Sequence, residues 1–175
     1  MASNKELKEI KSGLQSSEEI LVNKALSKVR TKGDSSLIPD LINLWADTDN
    51  QLTKKEVESI LFGLKEKEAL SALIGYIDSE VSEDRKWMAL NAIWQSGYDA
   101  SQHLSILLDF AINNSYTIAI DVMTIIDNSE FGSQDDDLVE SNLRRLNDYL
   151  LKNKSDNLQV LLEIKSILID KRIEG

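Results

Sequence analysis

A leucine returns along the chain at a nearly constant interval. Leu7, Leu41, Leu73, Leu107 and Leu146 are spaced 34, 32, 34 and 39 residues apart. Three residues after each stands another large apolar side chain: Ile10, Leu44, Tyr76, Phe110 and Tyr149. Eighteen or nineteen residues after each comes a second apolar centre, at Leu26, Ile60, Ala92, Ile126 and Ile164. Self-similarity at such a period marks a repeat architecture, in which one supersecondary unit recurs because it cannot bury its apolar face alone. A closed four-helix bundle has no need of the same register five times over.

The repeating unit reads as a helix pair. Apolar residues recur three and four apart in most segments, and strand-like alternation is scarce. The pattern predicts ten helices, near 4–14, 17–31, 36–47, 52–65, 67–79, 83–96, 101–113, 115–127, 137–152 and 156–172. Asp34-Ser35-Ser36 precedes Pro39, a first-turn proline whose missing N–H costs least there. Ser82, Ser101 and Ser115 are N-cap candidates, and Gly33 and Gly97 stand where helices should stop on a residue that tolerates positive φ. The short links force antiparallel hairpins. The expected fold is all-α, an α-solenoid of about five helical hairpins in a single domain over residues 1–175. Its repeats fall at about 4–33, 34–66, 67–99, 100–136 and 137–173, with an insertion at 128–137 that explains the long fourth spacing.

The third repeat carries the most regular motif: Asp78, Arg85-Lys86, Ala89, Ala92-Ile93 and Ser96-Gly97. This resembles the second helix of a HEAT repeat, in which a basic residue, Ala, Ala-Leu and a Gly stop recur at these intervals. Val22, Ala25-Leu26 and Val29 match in part, as do Val57, Ile60-Leu61 and Leu64, Val122 with Ile125-Ile126, and Leu161, Ile164 and Leu168. The resemblance implies stacked hairpins and a tendency to bind macromolecules, with an Asp and an Arg linking successive repeats. Ile118-Ala119 and Asn157-Leu158 lack the basic residue, so that polar ladder is expected to be interrupted in the fourth and fifth repeats.

The segment from Arg85 to Gly97 holds two of the three tryptophans on a helix that is apolar nearly all round. Burying one Trp removes about 150–250 Å² from water, worth about 4–6 kcal/mol before entropic losses. Trp87 fits a gap between repeats. Trp94 shares its register position with Phe62, and with Ser27, Asp127 and Ser166, so Phe62 and Trp94 form two steps of an apolar stripe across second helices, which line the concave side in HEAT-like arrays. Trp45 aligns with mostly apolar positions and is expected in the core.

Charge narrows the partner. The formal net charge is −10, but residues 36–143 hold six Lys/Arg and twenty Asp/Glu, and residues 87–143 hold no cation at all. Phosphate backbones and anionic lipid are repelled by such a surface. Asp121 and Asp127 belong to this stretch and join Phe62, Trp94 and Trp87 as candidate contacts for a protein partner, one that is basic or mixed in charge. No Cys is present, the first residues contain no long apolar core, and no apolar run is long enough to cross a membrane, so a cytoplasmic protein is expected.

Chemistry finds little footing. The single His103 stands in no Ser-His-Asp pattern, and no zinc ligand set exists. Asp135-Asp136-Asp137, with Asp127 and Glu130, lacks the spacing of a calcium loop and reads as the cap of the helix that follows. Arg144-Arg145 with Lys152 and Lys154 reads as a solvated face beside Asp148 and Asp156. No phosphate-loop or dinucleotide fingerprint occurs. The expected function is non-enzymatic protein binding or scaffolding, without cofactor or metal. The alternative, implied by the resemblance, is a HEAT-like enzyme such as a DNA glycosylase or chromophore lyase. Polar residues on the first helix (Lys5, Glu6, Lys8, Glu9, Lys11) and at the end of the last (Asp170, Lys171, Arg172) suggest closed ends and a monomer.

Overall fold

The computed structural model describes residues 3–79 and 81–174, the side chains of 172–174 excepted. Among the described residues there are ten α-helices and no strand: α1 (Asn4–Leu14), α2 (Glu19–Lys32), α3 (Ile38–Asp47), α4 (Gln51–Phe62), α5 (Lys67–Ile77), α6 (Glu83–Gln95), α7 (Leu104–Asn113), α8 (Tyr116–Asn128), α9 (Asp136–Lys152) and α10 (Leu158–Glu174). Short 3-10 turns lead into α3, α7 and α9.

The helices gather into two compact units, Met1–Ser96 and Gly97–Gly175. In the first, α1 packs on α2, α3 on α4 and α5 on α6, first helices pack on first helices, and second helices on second helices. The second unit repeats this with α7–α10. The division falls where the register separates the third hairpin from the fourth.

The repeat leucines supply the cores. Leu41, Leu73, Leu107 and Leu146 are at most 1% exposed, as are Leu26, Ala92, Ile126 and Ile164 at the second centre. Helix α6 buries six consecutive residues, Met88 to Ile93, because α3, α4 and α5 all pack against it. That is why its sequence is apolar nearly all round.

Several stops and starts follow from local chemistry. Gly97 ends α6 at φ 68°, where a side chain would be strained. Gly33 does not share this geometry: its φ is −67°, and glycine is needed because a Cβ would come within 2.6 Å of the Val29 carbonyl oxygen. The Ser3 hydroxyl and Glu6 carboxylate form a capping box at α1. Ser115 caps α8, but at Ser101 the acceptor is Asp99, which takes both the backbone N–H and the hydroxyl of Ser101.

Polar rungs tie hairpin to hairpin inside each unit. Arg85 of α6 donates back to Asn43 (3.0 Å) and Asp47 (2.5 Å) of α3, a link from the third hairpin to the second. Arg30 of α2 reaches Glu56 (2.7 Å) and Ser59 (3.0 Å) of α4. The expected interruption in the fifth repeat does not occur. Asn157, 4% exposed, donates its two amide hydrogens to the carbonyls of Ala111 and Asn114, each at 2.9 Å. In the fourth repeat Ile118 and Ala119 are buried apolar residues.

Candidate functional site

The tryptophans divide differently from their sequence positions. Trp45 is half-buried rather than core: its ring lies 5.6 Å from that of Trp87 at a tilt of 33°, and Lys54 Nζ stands 4.8 Å over its outer side. Its indole N–H donates to Glu58 at 2.9 Å. The position is mostly apolar in other repeats, but here polar side chains of α4, the Lys54 ammonium and the Glu58 carboxylate, meet the ring. Trp87 is likewise half-buried and fills the space beside Trp45, a packing role within the first unit.

Trp94 and Phe62 are both half-buried, and no ring contact joins them among the described residues. Phe62 is the last residue of α4, and Trp94 lies in the last turn of α6. The Trp94 indole nitrogen is buried without a hydrogen-bond partner.

The acids of residues 87–143 are less free than their number implies. Asp99 organises the entry to α7 and accepts the Glu130 backbone N–H at 3.2 Å. Asp109 pairs with Arg145 at 2.9 Å, and Glu140 pairs with Arg144. Asp135 is 3% exposed and accepts hydrogen bonds from Gln102, Gly132 and Gln134. With Ser129, which accepts the Ala100 N–H and whose carbonyl accepts from Lys171 Nζ, Asp135 pins the 128–137 insertion. The insertion is a structural joint within the second unit. Asp127, Glu130, Asp136 and Asp137 remain exposed. Among the described residues no group of three His, Cys, Asp or Glu is placed to hold a metal ion, and His103 is half-buried at the start of α7.

Asp121 is the exception among the acids. It is half-buried on α8, its Oδ2 has no hydrogen-bond partner, and burial pushes its pKa up from 3.8 to about 6. The folded state therefore binds the Asp121 proton more tightly than the unfolded chain. Stability falls as pH rises from about 4 to 6 and stays at the lower level above that. Replacing Asp121 with Asn should raise the unfolding free energy at pH 7 by about 1 kcal/mol, allowing for solvent screening of a group this exposed. The gain should vanish near pH 4, and urea denaturation at the two pH values measures both; a gain of the same size at pH 4 would exclude titration as its cause.

The feature that the periodicity does not reveal is where exposed apolar surface lies. Nine large apolar side chains stand exposed among the described residues, and eight are on second helices: Ile20 and Leu21 on α2, Leu52 on α4, Tyr116 and Ile120 on α8, and Leu158, Leu162 and Ile169 on α10. Leu151 on α9 is the exception. Ile20 and Leu52 are 81% and 76% exposed in the first turns of neighbouring helices, whose starts are joined by the Asn50–Glu19 hydrogen bond of 3.0 Å. The signal that could have marked them is an apolar residue in a helix's first turn that is out of step with the buried stripe. Helix α10, expected to end polar at Asp170, Lys171 and Arg172, also exposes Leu158, Leu162 and Ile169; Asp170 is exposed, Lys171 is half-buried, and the Arg172 side chain is outside the described residues.

Three of the four cations in the Arg144–Lys154 cluster pair within the chain. Arg145 donates to Asp109 and to the Ser105 carbonyl, Arg144 pairs with Glu140, and Lys152 stands 3.9 Å from Asp148. Among the described residues, no helix is long and apolar enough to cross a membrane. No family model, curated protein or solved structure matches the chain.

Proposed function

We propose that the chain is a HEAT-like α-solenoid of five hairpins that acts by binding a protein partner through its second helices, without chemistry of its own. The carrying observation is the segregation of exposed apolar side chains onto those helices, eight of nine among the described residues. Scattered exposed leucines are ordinary, but a bias of eight to one toward the second helices, spread over four of the five pairs, is not what chance placement gives. The exposed edges of Phe62 and Trp94 belong to the same helices, and the excess of acid over base favours a partner with cationic residues. The repeated register and the hairpin-to-hairpin rungs at Arg85 and Asn157 support the solenoid reading.

The test is affinity capture from the native lysate with three folded proteins: wild type, Leu52→Ser/Leu162→Ser on second helices, and Leu151→Ser on a first helix. These positions are exposed, so the fold survives their loss better than it would survive loss of Phe62 or Trp94. A partner retained by wild type and by Leu151→Ser, and lost or weakened about tenfold in the second-helix variant, is the expected result. Retention by all three proteins, or loss with Leu151→Ser alone, would sink the assignment of the face.

A further inference from the structure

The first unit contains a groove of about 930 Å³ that runs across the turns joining α1 to α2 and α3 to α4 and reaches the start of α6. That volume is near the top of the ~300–1,000 Å³ range of ligand sites, room for several residues of extended chain. Its walls carry four carboxylates, Glu19, Asp40, Asp47 and Asp49, against the single guanidinium of Arg85. Half-exposed Leu44 and Val81 contribute apolar floor. Ile20 and Leu52, among the most exposed apolar side chains described, sit on the first turns of the two helices whose N-terminal residues line the groove.

Two of the four carboxylates already hold cations of this chain. Asp47 takes Arg85, and Asp40 takes Lys11 at 3.6 Å and the Gln15 amide at 2.9 Å. Glu19 and Asp49 are exposed, and Glu19 accepts an amide hydrogen from Asn50. Resting on the reading that the chain binds a protein, we propose that this groove receives an extended segment in which Arg or Lys alternates with apolar residues. Glu19 and Asp49 meet its cations while the floor, Ile20 and Leu52 meet its apolar side chains. Charge complementarity chooses this occupant. A negatively lined groove rejects acidic peptides and phosphates, and the apolar surface beside it favours a peptide over a bare cation.

The probe is a fluorescein-labelled peptide of alternating Arg and Leu, titrated by fluorescence anisotropy against the full chain. Glu19→Gln/Asp49→Asn should weaken binding about fivefold, as expected for two partly solvated ion pairs. Asp136→Asn/Asp137→Asn, which removes the same charge from exposed positions on α9, should weaken it less than twofold. A peptide of alternating Glu and Leu should not bind. Equal weakening by both variants would mean general attraction to an acidic protein, and that result, or no binding of the Arg-Leu peptide, overturns the proposal. The groove variants change no apolar side chain. Loss of peptide binding with Leu52→Ser/Leu162→Ser while Glu19→Gln/Asp49→Asn leaves it intact would reject the groove and spare the second-helix face.

Discussion

Truncating Leu73 or Leu146 to alanine should lower the unfolding free energy by about 3–4 kcal/mol, whereas the same change at Leu7 should cost about 1 kcal/mol. All three share one register position in the repeat. Leu73 and Leu146 are fully buried, so truncation leaves a cavity that packed neighbours cannot close, while Leu7 on α1 is only half-buried and leaves a smaller one. Leu41 and Leu107, each 1% exposed, should behave like Leu73 and Leu146. Urea denaturation followed by circular dichroism gives each value. Equal losses at Leu7 and Leu73 would show that the shared register position, and not the burial of each leucine, sets the cost.

Replacing Asn157 with alanine should cost about 2–3 kcal/mol, a large loss for a polar surface-loop residue type. The cost arises less from the two hydrogen bonds lost than from the Ala111 and Asn114 carbonyl oxygens left without their partner, the first of these bonds being fully buried. Asn153 is the control. Its amide also donates to a backbone carbonyl, that of Tyr149, but in the open, and Asn153→Ala should cost no more than about 0.5 kcal/mol. Thermal and urea denaturation of both variants check the difference. A loss at Asn157 no larger than that at Asn153 would remove it from the hairpin-to-hairpin rungs.

Much of this architecture is legible in the residues. The helix periodicity, the Pro39 start, the Gly97 stop and the five-fold register depend on local backbone chemistry and on spacing along one chain. What stays hidden depends on neighbours. Trp45 occupies an apolar column, yet Lys54 and Glu58 from the adjoining helix meet it, so it stays half-buried. Asn157 breaks the basic motif, yet an amide has two donors and can do a guanidinium's work where two carbonyls converge. The acid tally of residues 87–143 could not distinguish Asp135, enclosed by three donors, from Asp127, which is exposed. Of the candidate contacts named from sequence, Phe62, Trp87 and Trp94 are all half-buried. Ile20 and Leu52 went unnoticed because they lie outside the buried stripe that periodicity detects.

The rungs also give the two units different sensitivities to dissolved salt. In the first unit five ion pairs join separate helices: Lys11–Asp40, Lys28–Glu9, Arg30–Glu56, Lys32–Glu6 and Arg85–Asp47. In the second, Arg145–Asp109 joins two helices, and the neutral amides of Asn142 and Asn157 are among the other ties. Mobile ions screen exposed charges and leave an enclosed amide–carbonyl bond almost untouched. Rising ionic strength should therefore weaken the exposed ion pairs of the N-terminal hairpins more than the enclosed amide–carbonyl bonds of the C-terminal ones, so dissolved salt discriminates between the two halves of the sequence.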